Sequence, residues 1–195
     1  MIIIKHRINT INQLKKTPEI YGVEIDLRSD KKDIYLHHNP FVKGTMFNKW
    51  IKYFKHKFIV LNVKEEGLES KIIKILNKHK IRDYFFHDQS FSTLLKNMKK
   101  MRVSIRYSEY EEIKEKNKIF KYVKWIWLDH FTSFPLSVKF YEYLKKNKIK
   151  ICIVSPELVR KKFINKAIRL KKHILKKGFK IDAVCTKLPE IWKKN

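Results

Sequence analysis

Three short clusters near the start of the chain hold the residue types that chemistry needs: His6-Arg7, Glu24-Ile25-Asp26 and His38-Asn39-Pro40. Together they offer two imidazoles, a guanidinium and two carboxylates. Glu24 and Asp26 are two apart on a strand-like run, so both side chains face one side, while Val23, Ile25 and Leu27 face the other. Two carboxylates on one face repel unless a cation or a basic group sits between them. A hard divalent ion such as Mg²⁺ or Ca²⁺ takes oxygen ligands of this kind. Ion pairs with Arg7, Lys64 or Arg106 are the competing way to neutralise them. An unperturbed imidazole titrates near 6.5, so His6 and His38 can give and take protons at neutral pH. His37 competes with His38; alternation along 34–38 places the two on opposite sides, and His38 is chosen because Asn39-Pro40 follows it. Arg7 has the planar fork that suits bidentate phosphate contact, and Lys64 supplies a point charge. Such a set can hold a divalent cation, grip a phosphate and move protons, the functions that serve cleavage of a phosphodiester.

These side chains need elements to position them. Strand-like runs rich in Ile, Val, Phe, Tyr and Trp fall at 2–6, 22–28, 57–63, 83–88, 102–107, 122–129, 149–154 and 181–186. Several are apolar almost throughout, as in Phe58-Ile59-Val60-Leu61, which suits a parallel sheet covered on both faces. Helical patterns lie between them. Residues 68–79 align Leu68, Ile72, Ile73, Ile75 and Leu76; residues 136–147 align Val138, Tyr141 and Leu144; residues 157–177 align Leu158, Phe163, Ala167, Leu170 and Ile174. Shorter helices are expected at 10–17, 46–55 and 90–99, and a small extra strand at 34–37.

Eight strands interleaved with helices predict an α/β protein, a small (β/α)₈ TIM barrel with shortened loops; an open doubly wound sheet is the rival. Polar groups recur where the strands end: His6-Arg7, Glu24-Asp26, Asn62-Lys64, His87-Asp88, Arg106, Asp129-His130, Ser155-Glu157 and Lys187. In a barrel these converge on one mouth, whereas an open sheet spreads them along a line.

Residues 1–195 read as one domain, with 44% apolar and 13% aromatic residues, and no linker or repeat interrupts them. No apolar run reaches the roughly 18 residues a membrane span needs, and the start does not resemble a signal peptide. The expected location is cytoplasmic. Cys152 and Cys185 lie in apolar strand-like runs and read as buried, reduced thiols. Lys and Arg number 46 against 19 Asp and Glu, a net charge of +27. Such a surface favours polyanions, and an anionic membrane surface is a candidate partner reached peripherally. The excess is mostly lysine spread over every helix-like stretch, as codon bias in an AT-rich genome also produces. No specific nucleic-acid module is recognisable. His56, His79 and His173 fall in basic stretches and are expected to face solvent. The sequence leaves the oligomeric state open.

The order His6-Arg7-Ile8, Asn9-Thr10, Glu24-Ile25-Asp26, His38-Asn39, Asn62-Val63-Lys64 and Asp182…Thr186-Lys187-Leu188-Pro189-Glu190 resembles the glycerophosphodiester phosphodiesterase family, within the phospholipase-C-like phosphodiesterase barrels. The resemblance implies a phosphoric diester hydrolase acting on a small glycerophosphodiester-like or phosphosugar substrate. It makes His6 and His38 the acid–base pair and Glu24, Asp26 and position 62 the metal-ligand positions, with Mg²⁺ or Ca²⁺ as cofactor. The chain departs from the family at several points. Ile8 stands where the family has glycine, Asn39 and Lys187 where it has aspartate, and Asn62 where it has a metal-ligand glutamate. Asn62 still offers a neutral carbonyl oxygen. Arg106, Trp127, Asp129 and Glu157 are expected to shape a leaving-group pocket, with Trp127 stacking on a sugar ring or packing the core. The altered positions also define an alternative: a catalytically weakened barrel that binds phosphorylated ligands or anionic surfaces without turnover.

Overall fold

The computed structural model describes residues 1–30 and 32–193. Eight parallel strands form its centre: β1 (Ile2–Lys5), β2 (Gly22–Ser29), β5 (Phe58–Val63), β6 (Tyr84–His87), β7 (Ser104–Tyr107), β8 (Trp125–Leu128), β9 (Lys150–Val154) and β10 (Ala183–Thr186). They pair in the order β6-β5-β2-β1-β10-β9-β8-β7. The ends of that row meet through one parallel bridge, Phe86 to Val103, and the Phe86 amide donates to the Arg102 carbonyl at 2.8 Å. The seam between β6 and β7 therefore closes the ring, and the architecture is the expected barrel.

The eight strands match the eight sequence runs, and β3 (Ile34–Leu36) matches the small extra one. It pairs antiparallel with the far half of β2, Leu27 opposite Leu36, and is extended by β4 (Thr45–Met46). Around the barrel lie α1 (Ile11–Lys16), α2 (Phe47–Trp50), α3 (Glu69–Lys78), α4 (Phe91–Asn97), α5 (Val138–Lys146), α6 (Ile164–Lys176) and α7 (Pro189–Trp192). Between β7 and β8 the chain makes only a 3₁₀ turn, Lys118–Lys121. No helix among the described residues is long and apolar enough to cross a membrane.

Strand alternation produces two separate apolar clusters. One fills the barrel with Ile4, Phe58, Val60, Phe85, Trp125, Trp127, Cys152, Val154, Ala183 and Cys185. The other lies between barrel and helices. The filling is largely aromatic: the rings of Phe58, Phe85 and Trp125 lie 4.9–5.6 Å apart by centroid. Gly22 makes room for it, since a Cβ there would meet Ile4 and the Phe58 Cβ at 3.1 Å.

Several details differ from the sequence expectation. The basic helix starts at Ile164, not 157, because Pro156 opens a 3₁₀ turn and the Glu157 carboxylate is tied to the end of β10. The buried face of α5 is Phe140 and Leu144, an i,i+4 pair, while Val138 is exposed. His56 is buried, not solvent-facing; its Nε2 lies 2.9 Å from the Thr17 carbonyl and its ring packs on Phe54. The short helix α7 was not legible. Pro189 starts it, and Trp192 buries its indole with the N–H donating to Ser155 Oγ at 2.9 Å.

Candidate active site

The mouth at the C-terminal ends of the strands is built first by the loop after β1. The His6 amide donates to the Thr186 carbonyl at 3.1 Å, continuing β1 by one residue. Arg7 then takes a left-handed φ of 55°, rare for a side-chain-bearing residue. That turn aims the Arg7 amide at Glu24 Oε2, 2.7 Å away. Ile8, the residue in place of glycine, is not the strained one; it is buried in the outer core and its amide donates to the Glu24 carbonyl at 2.8 Å. Asn9 clamps the next register position: its Nδ2 donates to Asp26 Oδ2 and its Oδ1 accepts from the Asp26 amide, both at 2.9 Å. Thr10 and Gln13 cap α1 reciprocally, fixing where the loop ends.

Glu24 and Asp26 are almost fully buried, at 1% and 0% exposure. Burial and the neighbouring Asp26 push the Glu24 carboxyl well above the usual carboxylate range, against the Arg7 amide, Asn62 and Lys64. Asn62 sits opposite Asp26 in the β2–β5 register. Its Nδ2 lies 3.0 Å from Glu24 Oε1 and 3.4 Å from Asp26 Oδ1.

His38 arrives from β3. Its carbonyl accepts from Arg28 Nε and Nη2 at 3.2 and 3.0 Å. Its Nδ1 is 3.2 Å from Asp26 Oδ1, and its Nε2 is 2.9 Å from Arg7 Nη2. A guanidinium only donates, so Nε2 accepts and Nδ1 carries the proton that Asp26 receives. His37 turns elsewhere, with Nδ1 accepting from the Asn39 amide at 3.1 Å. His6 Nε2 lies 3.8 Å from Glu24 Oε2. Burial, then the charges of Arg7 and Lys187, lower the His6 pKa to about 3, so its ring is neutral.

A second line of charge continues around the mouth. Lys64 Nζ is 3.8 Å from Asp26 and 2.7 Å from Asp88 Oδ2. Asp88, at φ 64°, also accepts from Arg106 at 2.5 Å, and Arg106 reaches Asp129 at 3.6 Å. Burial would raise the Asp88 pKa, but His87, Lys64 and Arg106 outweigh it and hold it low. Burial raises Asp129 to about 6 despite Arg106. Cavities of about 410 and 400 Å³ flank Asp88, one lined by Arg106 and Glu111, the other by Lys64 and Glu69.

The structure thus brings His6, Arg7, Glu24, Asp26, His38, Asn62 and Lys64 together, with Arg106 and Asp129 one ion pair further on. Two expected pocket residues are placed otherwise. Trp127 is 6% exposed and stacks on His87 at 4.2 Å, so it packs the barrel floor. Glu157 is buried, and its Oε1 accepts from Thr186 Oγ1 at 2.5 Å and from the Lys187 amide at 3.1 Å. Sequence reasoning gave no role to Asn9 or to Asp88. The Asn9-Thr10 pair after a histidine and an arginine was the only signal for the first, and His87-Asp88 was legible only as one of the polar groups at strand ends.

No family model matches the chain, and no curated protein matches it. Solved structures do. A glycerophosphodiester phosphodiesterase from Agrobacterium tumefaciens superposes with a TM-score of 0.71 at 11% identity, over 98% of this chain and 97% of that one. One from Thermotoga maritima gives 0.68 at 17% identity, over 98% and 96%. A phosphodiesterase from Oleispira antarctica, in complex with the product sn-glycerol-3-phosphate, gives 0.69 at 14%, over 98% and 95%. This chain has the fold of the glycerophosphodiester phosphodiesterases. The likeness spans nearly the whole of each of those chains, so it is a likeness of the entire fold.

Proposed function

We propose that this barrel is a phosphoric diester hydrolase acting on a small glycerophosphodiester-like substrate. One observation carries the reading: two histidines, each beside a buried carboxylate, meet Arg7 and Lys64 at the mouth of a barrel whose fold neighbours are phosphodiesterases.

Arg7 and Lys64 would take the non-bridging phosphate oxygens, where charge builds as the nucleophile adds. Arg7 caps His38 Nε2. A bound phosphate competes for that guanidinium. Once Arg7 turns to the phosphate, Nε2 is free to protonate, and Asp26 on Nδ1 stabilises the resulting imidazolium. His38 is then the general acid. His6, neutral at physiological pH, is the general base. It takes the proton from an attacking hydroxyl, of water or of the substrate itself. The oxygen bonds to phosphorus, the P–O bond to the departing alcohol breaks, and His38 hands its proton to that oxygen. The products are an alcohol and a phosphate monoester, or a cyclic phosphate if the substrate hydroxyl attacks.

Whether a divalent cation fits is a question about donors. The carboxylate oxygens of Glu24 and Asp26 accept from the Arg7 amide, Asn9, Asn62 and His38. Among the described residues no group of three or more His, Cys, Asp or Glu is arranged to hold a metal ion. The expected set Glu24, Asp26 and Asn62 does not fit Mg²⁺ or Ca²⁺ as arranged, and no step above passes through one.

Hydrolysis of a glycerophosphodiester, followed by release of sn-glycerol-3-phosphate, tests the reading. Loss of product in both His6→Ala and His38→Ala is expected. Turnover unchanged in both variants overturns it, and calorimetric binding of the diester with no product would instead assign a binding protein.

A further inference from the structure

We propose that the Asn62 side-chain amide occupies the place of a divalent cation between Glu24 and Asp26, so that the site cleaves its diester without Mg²⁺ or Ca²⁺; the turnover half of this rests on the phosphodiesterase reading above. Asn62 is the β5 residue paired with Asp26, and its side chain shares the inward face with both carboxylates. The two hydrogens on Nδ2 divide between them, at 3.0 Å to Glu24 Oε1 and 3.4 Å to Asp26 Oδ1. The amide thus stands between the two carboxylates and donates to one oxygen of each.

The amide's orientation is dictated by the carboxylates. Asn62 Oδ1 is buried and has no hydrogen-bond partner. An unsatisfied buried carbonyl is costly, and it is tolerated here because the reverse orientation would turn Oδ1 towards Glu24 and Asp26 and deprive both of the amide's N–H donors. The other carboxylate oxygens are equally committed. Glu24 Oε2 accepts from the Arg7 amide at 2.7 Å and Asp26 Oδ2 from Asn9 Nδ2 at 2.9 Å. Both donors are fixed by the short loop after β1, whose tight turn at Arg7 aims the amide inward.

Charge points the same way. Arg7 Nε and Lys64 Nζ stand 3.9 and 3.8 Å from Asp26. Two cations already face Asp26, and a divalent ion entering beside them meets like charge in a poorly solvated site. In the proposed reaction the same two cations would exchange His38 and Asp88 for the phosphate oxygens. Calcium asks for six to eight oxygen ligands and magnesium for a near-octahedral shell, and this corner supplies two engaged carboxylates and an inverted amide.

The test uses the whole chain, stripped with chelator and compared with Asn62→Asp and Asn62→Glu. MgCl₂ and CaCl₂ alone are titrated calorimetrically, thermal unfolding is followed with and without each salt, and diester hydrolysis is assayed in chelator and in salt. The stripped wild-type protein is expected to give no binding heat, no rise in Tm and full turnover in chelator. Asn62→Asp is expected to lower Tm by crowding three carboxylates, and Mg²⁺ or Ca²⁺ to restore it with a measurable binding heat; Asn62→Glu repeats the test should the first variant fail to fold. Saturable binding of either ion to the wild-type site, or turnover lost in chelator and regained with metal, overturns the inference and leaves the phosphodiesterase reading standing. A chain inactive in both conditions overturns that reading together with metal-free turnover, and the ion titration still decides the amide's role.

Discussion

Two sides of the mouth use the same residue types to opposite effect. On the β1–β2–β5 side, buried Glu24 and Asp26 share donors with side chains that can move: Arg7 and His38 are each 39% exposed. On the β9–β10 side, buried Glu157 is closed upon Ser155, Thr186 and the Lys187 amide, and Trp192 seals the cluster from behind. Both sides present a buried carboxylate, within β2 on the first and just beyond the end of β9 on the second. The difference is whether its partners are free to leave. A network whose donors are backbone and short hydroxyls holds the barrel end shut. One whose donors include a long guanidinium and an imidazole can exchange those partners for a ligand.

That contrast is broken most strongly by removing one of the two proposed proton carriers from the first side. His38→Ala or His6→Ala is expected to cost ~10²–10⁴-fold in kcat, with little change in Tm for the half-exposed His38; steady-state kinetics beside thermal melts measure both. On the barrel floor the opposite split is expected. Trp127→Ala removes a ring packed against Phe85 and His87 and should cost ~3–5 kcal/mol in urea unfolding, with the pH profile of the surviving activity unchanged. Glu157→Gln leaves the shape of the closed network but removes its charge, and ~1–3 kcal/mol of stability is expected to go with it, with KM unaltered. Activity lost in Glu157→Gln at full stability would erase the distinction between the two sides.

The smallest effect is a pH dependence. His87 lies inside the barrel, and burial lowers its pKa from 6.5 to about 3. The unfolded chain therefore takes up a proton as pH falls below about 6.5 while the folded chain does not. Stability is full above that value and declines as pH drops towards 3. His87→Gln is expected to flatten this acid limb in melts recorded across the range, and a limb unchanged by the substitution would place the sensitivity elsewhere, on His6 or His130.

Much of this was legible in the chain, for identifiable reasons. The strands were visible because a barrel strand covered on both faces must be apolar along its length, as Phe58–Val63 is. Glu24 and Asp26 stood out as charges inside such a run, and a charge there needs a partner. Helix limits were less legible at 157–163, where a proline and a long-range carboxylate bond override the helical period. Glu157 was misplaced, and Trp127 was left between pocket and core, for a related reason: alternation says which face a residue is on, but not how far down the barrel axis the space is already filled.

The amino-acid order alone determined the eight-fold alternation of strand and helix, the inward parity of Glu24, Asp26 and Asn62, and the gathering of polar residues at strand ends. Those follow from periods of 2 and 3.6, which are local. The three-dimensional arrangement alone decided that Asp26 holds Nδ1 of His38 and Arg7 its Nε2, and that the Asn62 amide bridges the two carboxylates. Hydrogen bonds reach only about 3 Å and depend on angle, so which donor meets which acceptor is settled only when residues dozens of positions apart are fixed in space.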